Sequence, residues 1–181
     1  MSLLFPSSSP PGPDRRLPEG KRLVPVIGWR SWKLRRARDD VLLQSVFGSD
    51  CWEVGITCAR CRRWPLWMPI SHQAVPGTSC ECGLYAFSSA AGAIHHTERQ
   101  LAGVFASCGQ PPPVVGAVVG WGRVVQHGSQ GWRAEYARPI ALLNMGPTLL
   151  NEAALHYGLP LLSMRGLCLL PLEYGEALVA A

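Results

Sequence analysis

Two closely spaced cysteine pairs constrain this chain of 181 residues more than any other feature of it. Cys58-Ala-Arg-Cys61 and Cys80-Glu-Cys82-Gly83 are separated by 18 residues, close to the two-pair spacing of a zinc ribbon. A tight turn presents two thiolates to one edge of a tetrahedron, so two such turns supply the four soft ligands that Zn2+ takes. Gly83 gives the second turn the backbone freedom it uses. That second pair is C-x-C where the usual ribbon has C-x-x-C, and His72, between the pairs, is an alternative ligand in place of one thiolate. The expectation is a structural Zn2+ on Cys58, Cys61, Cys80 and Cys82, with no coordination position left open for catalysis. Ordinary packing thiols are the competing reading. Cys51, Cys108 and Cys168 have no partner at motif spacing and read as packing residues.

Metal ligation is preferred over disulfides because the first 20 residues, MSLLFPSSSPPGPDRRLPEG, lack a basic segment followed by a sustained apolar run. A cytoplasmic, reducing location is therefore expected, where paired cysteines read first as ligands. The uncharged stretch from Gln100 to Gly122 is long enough to span a bilayer, but Pro111, Pro112, Pro113 and several glycines break it. No membrane partner is expected.

Hydrophobic residues make up 48% of the chain and charged residues 16%, which favours a packed interior over disorder. The counts of 19 glycines and 16 prolines favour short strands and turns over long helices. Residues 1–20 read as a Pro/Ser-rich flexible tail, and residues 21–181 as one globular domain carrying a zinc loop at 58–83. Strands are expected at 24–34, 41–47, 51–57, 84–87, 140–143 and 161–170, with a charged turn at 35–40. A hairpin is expected at 114–125 and 131–137 across His127-Gly128-Ser129-Gln130. Ser88 or Ser89 is placed to cap a helix running to about Ala106. A second helix, 148–157, stops at Gly158 with Pro160 just beyond. The fold class is α+β: a small, partly open barrel or curved antiparallel sheet with two or three helices and a zinc-stapled loop.

The net charge of +5 is unevenly spread: residues 1–63 carry 12 of the 17 Lys and Arg against 6 of the 12 acids, a net of +6, and the remainder nets −1. Basic residues from Arg30 to Arg38 beside Trp29 and Trp32, and Arg60, Arg62 and Arg63 beside Trp64, combine cations with aromatic rings, which can follow a phosphate backbone and stack bases. The plainer reading is that the tryptophans fill the core and the arginine stems cover its rim. Arg123, Trp132, Arg133 and Glu135 on the hairpin form a further binding surface, either a charge set in a pocket or an exposed cross-strand ladder. No nucleophile elbow, phosphate loop, dinucleotide fingerprint or HExxH motif occurs.

Three segments, CGLYAF at 82–87, GWGRVVQHGSQGWRAEYARP at 120–139 and LHYGLP at 155–160, carry a resemblance. Together they resemble an uncharacterised family of small actinobacterial and actinophage proteins, in which a C-x-CG-[IL]-YA segment precedes a WGRVVEH...GWRAEYA hairpin and a helix ending in YG-[VL]-P. The resemblance implies an actinobacterial source and a shared fold, and no activity. The order of elements also looks like the small barrels of the PUA and ASCH group, many of which bind RNA or modified bases; this is fold-level analogy. The reading that follows is a zinc-stabilised binding module without catalytic residues. Its alternatives are a nucleic-acid-binding protein using the basic N-terminal half, or a small enzyme with a pocket near the 120–138 hairpin. The partner is another protein, a nucleic acid or an undetermined ligand.

Overall fold

A computed structural model describes residues 25–61, 75–77, 80–98, 113–144 and 148–163. Its organising unit is a long antiparallel hairpin, β5 (Val114–His127) and β6 (Gly131–Leu143), rich in β-branched residues and turned at Gly128, where φ is 57°. Two register shifts, between Ala117 and Val118 and between Trp121 and Val124, interrupt the ladder. Pro139, which has no N–H to give a ladder, stands at the first, opposite Val118. Gly122, with φ of 79°, occupies the second. Such irregularities bend long strands, and here they let one hairpin serve several neighbours.

β1 (Val26–Ala37) pairs with β5 from Val26↔Gly120 to Trp32↔Val114, then runs on to pair with β2 (Asp40–Ser45). The turn between them is only Arg38-Asp39, with Arg38 at φ 55°. Arg35 and Arg36, expected in a charged turn, are strand residues instead, because pairing with β2 satisfies their backbone. β3 (Thr57–Cys58) and β4 (Leu84–Phe87) both lie against β6, and β4 also meets β1 at Trp29↔Phe87. Hydrogen bonding thus passes β1–β5–β6–β4 and back to β1, a partly ring-like sheet. β7 (Leu161–Leu162) adds to β6 in parallel, so the sheet is mixed rather than wholly antiparallel. The strand expected at 51–57 shrinks to one bridge, Gln44↔Cys51, and to β3, since Val54, Gly55 and Ile56 are exposed with no strand beside them.

Trp132 fills the inside of the ring. It is 5% exposed and its Nε1 donates to the Ile27 carbonyl at 3.1 Å. Gly28 and Gly120 make that position possible: a Cβ on Gly28 would stand 2.7 Å from Trp132 Nε1, and one on Gly120 would overlap the indole's six-membered ring. Ala86 and Ala134, both buried, complete a wall of small residues around one large ring.

Two described helices cover the sheet. α1 (Ala90–His96) is capped by Ser89, whose Oγ accepts from Gly92 N–H at 3.1 Å. It is tied to β1 through Thr97, whose Oγ1 donates to Ala93 O at 2.8 Å and lies 2.6 Å from Ser31 Oγ. The described helix ends there, and the expected continuation towards Ala106 lies outside the described residues past Glu98. α2 (Thr148–Tyr157) ends on Gly158 at φ 64°, with Leu159 N–H on Ala154 O at 2.8 Å and Gly158 N–H on Leu155 O at 3.1 Å. That is the glycine stop read from the sequence. Leu150, Ala153, Ala154 and Tyr157 bury its inner face, and Tyr157 Oη donates to Trp52 O at 2.6 Å and accepts from Leu43 N–H at 3.1 Å. No described helix is long and apolar enough to cross a membrane.

Gly120→Ala and Trp132→Leu are each expected to lower unfolding free energy by about 1–3 kcal/mol or more, through overpacking and lost volume respectively. Because the two residues share one space, the double variant should be more stable than the sum of the single losses by about 1 kcal/mol in urea unfolding. Strict additivity would show that the indole does not depend on Gly120.

Candidate functional site

Cys61 of the first pair meets Cys80 and Cys82 because of how β6 is used along one edge. Thr57 and Cys58 pair with Ala137 and Tyr136, Ala59 N–H bonds Glu135 O at 2.7 Å, and Leu84 then pairs with Ala134, followed by Tyr85, Ala86 and Phe87 against Arg133, Trp132 and Gly131. β3 and β4 are therefore two halves of one interrupted strand. The chain leaves this line after Ala59 and rejoins it at Leu84, so the two ends of the intervening segment come together. Cys61 stands just after the departure, and Cys80 and Cys82 just before the return.

At this neck the Sγ atoms of Cys61, Cys80 and Cys82 all lie within 4.8 Å of one another, with Cys61 and Cys80 3.6 Å apart. No disulfide joins them. Three thiols at that spacing could hold a metal ion. Gly77 N–H donates to Cys82 Sγ at 3.2 Å. Gly83 adopts φ 128°, and a Cβ there would meet Arg133 Cβ and Pro76 Cβ, each at 3.1 Å, so the turn packs directly on β6. Burial, followed by the neighbouring Cys80 and Cys82 thiols, pushes the Cys61 thiol up to about 11. A bound cation reverses that balance by stabilising the thiolates.

Cys58, expected as the fourth ligand, does not join the group. It is exposed on β3, and partial desolvation, then the nearby Glu53 carboxylate, moves its thiol pKa upward. Its strand position fixes it opposite Tyr136, which holds it apart from the three thiols. His72, Arg62, Arg63 and Trp64, like the 1–20 tail, lie outside the described residues.

Arg133 has a role the sequence reading did not assign. It is 5% exposed, and its Nη1 donates to the carbonyl oxygens of both Cys80, at short range, and Cys82, at 3.0 Å. It therefore clamps the cysteine turn from beneath and does not line a hairpin pocket with Glu135. Glu135 instead accepts from the Arg123 backbone N–H at 3.2 Å, with Arg123 itself exposed. The only sequence signal for the clamp is period-2 alternation: Trp132 and Ala134 fill the ring, so Arg133 must face the other side, where the turn sits.

The basic run on β1 is also divided. Arg36 pairs with Glu152 on α2 at 2.8 Å. Arg30 turns towards a broad cleft of about 690 Å³ between β1, the 46–60 segment and β4. Arg60 stands exposed at its edge. Trp52 and Ser45 are buried in the cleft's base, while Phe47, 73% exposed, and Tyr85, 42% exposed, stand at its mouth. His96, whose imidazole burial holds below its ordinary pKa, sits between Phe47 and Phe87 with ring centroids 6.1 and 5.2 Å away.

Comparison of the chain with protein-family models, with curated proteins and with solved structures found no match in any of the three.

Replacing Arg133 by Met is expected to free the turn. In metal-free protein, Cys80 and Cys82 should react with a thiol reagent about tenfold faster, the loss of roughly one charge-assisted hydrogen bond. Unchanged rates with an unchanged fold would show that the turn is held without the guanidinium.

Proposed function

We propose that this chain is a zinc-stapled small β-barrel that acts as a binding module rather than a catalyst. The observation that carries the staple is the convergence of Cys61, Cys80 and Cys82 at the neck of a loop inserted into a single strand line. Soft thiolate ligands select zinc, copper(I) or iron–sulfur chemistry, and among these zinc suits a tetrahedral site that only has to hold two turns together. A fourth donor completes the tetrahedron; with Cys58 standing apart, His72 is the protein candidate. The Arg133 guanidinium beneath Cys80 and Cys82 and the Gly77 N–H on Cys82 Sγ are the supporting interactions that orient such ligands and offset their negative charge.

A cross-link between Cys61 and Cys80 closes a loop of 18 intervening residues, a constraint worth about 3 kcal/mol on a chain-entropy estimate. The staple also positions β4, and β4 closes the ring by meeting β1. Metal and fold are thus linked through one strand.

Mass spectrometry of purified, tag-free protein should find about one equivalent of zinc. Cys61→Ser, Cys80→Ser and Cys82→Ser should each lose the metal and unfold at lower urea concentration, whereas Cys58→Ser should retain most of it. Iron or copper in place of zinc would overturn the metal's identity. Metal-free, fully stable wild-type protein would overturn the staple.

A further inference from the structure

Among the described residues, Arg30 is a cation beside a cleft with no carboxylate partner. Its guanidinium has five N–H donors. One on Nη1 reaches Tyr85 O at 2.5 Å and one on Nη2 reaches Ser45 Oγ at 3.4 Å, while the buried Nε–H has no partner among the described residues. That leaves two further hydrogens on the terminal nitrogens. The guanidinium carbon lies 4.9 Å from the Trp52 ring centroid, which gives the cation a π-face and no counter-ion. No described carboxylate pairs with it. The side chain as a whole is half-buried, and desolvation lowers its pKa to about 10. Trp52, 2% exposed, likewise keeps a buried indole N–H with no partner.

Both groups belong to the base of the same cleft. Its volume of about 690 Å³ falls within the range of small-molecule sites. Above the base the walls are aromatic: Phe47, Phe87, His96 and Tyr85. Among the described residues at the mouth, the exposed charges are Asp50, Glu53 and Glu81 against Arg60. A polyanionic strand would meet more negative than positive charge there, while a small ligand with one acidic group could pass the rim and reach Arg30.

We propose that this cleft is a binding site for a small organic anion, a flat apolar body bearing one carboxylate or phosphate group, with Arg30 as the anion's partner and the Phe47 and Tyr85 rings flanking the body. Two parallel N–H···O bonds from a guanidinium suit the shared geometry of these two acidic groups. The anion would supply the missing counter-charge. Phe47, mostly solvated apart from its contact with His96, would gain a second ring partner. The proposal deepens the binding-module reading and rests on it only for the position of β4.

The test uses full-length protein of measured metal content, so loss of the staple and absence of the site can be told apart. Benzoate, phenyl phosphate, inorganic phosphate and neutral benzyl alcohol are titrated while the Trp52 indole and Arg30 Nε–H resonances are followed by NMR. Benzoate or phenyl phosphate should shift both signals saturably, at least tenfold more tightly than benzyl alcohol. Tighter binding of phenyl phosphate assigns a phosphoryl ligand, and tighter binding of benzoate a carboxylate. Arg30→Met should weaken the anion at least tenfold and leave benzyl alcohol unchanged. Should that variant fail to fold, Phe47→Ala, at an exposed position, should weaken the aromatic anions severalfold and leave inorganic phosphate unaffected. Equal affinity for charged and neutral probes, no saturable shift with any of them, or displacement of the anions by a single-stranded oligonucleotide would overturn the proposal.

Discussion

The architecture depends on one indole. Trp132 stands inside a ring of four strands, and the ring closes around it only because Gly28 and Gly120 present no side chain to its faces and Ala86 and Ala134 present the smallest ones. A large flat residue surrounded by small ones gives a narrow closed sheet a dry interior without a layered core, and burying such a ring removes on the order of 200 Å² of apolar surface from water. Its N–H would be costly if left unpaired, and the Ile27 carbonyl of the opposite strand receives it. Once Trp132 faces inward, alternation along β6 sets the direction of every neighbouring side chain.

That alternation links the core to the cysteines. Arg133, next in sequence, must face outward, and the fold covers it with the Cys80–Gly83 turn, so that a charge which would otherwise be solvated becomes the turn's anchor. The same edge of β6 accepts β3 and β4 in line, so an excursion of more than twenty residues begins and ends at one place. Loops with adjoining ends are where a metal clip constrains the chain most for the fewest ligands. The cleft lies along the same interrupted strand line, with the 46–58 segment on one side and β4 on the other. Core, cysteine cluster and cleft are therefore successive consequences of a single strand's two faces and one edge.

Sequence reasoning reached what is encoded over short distances. The β5–β6 hairpin follows from the β-branched runs of β5 and a glycine turn, and the end of α2 follows from Gly158 adopting a conformation that other residues avoid. Ser89 was recognisable as a cap because its hydroxyl serves an amide three residues on. The 51–57 segment misled because alternation of apolar residues was present without a neighbouring strand to use it; Val54 and Ile56 are left exposed beside the cleft. The late start of the charged turn expected at 35–40 has a similar cause in reverse: β2 was there to receive Arg35 and Arg36.

By itself, then, the sequence pointed to a cysteine cluster, with Cys58, Cys61, Cys80 and Cys82 as its members, and the structure gathers three of these four. The sequence also determined the hairpin, the helix stop and the apolar residues available for burial. Which cysteine stands aside, that Arg133 lies under the turn, and that Arg30 lies in a cleft beside Trp52 were decided by tertiary structure. Each depends on the register between strands far apart in the chain, such as Cys58 opposite Tyr136 and Trp29 opposite Phe87, and a shift of one residue would send these side chains to the other face.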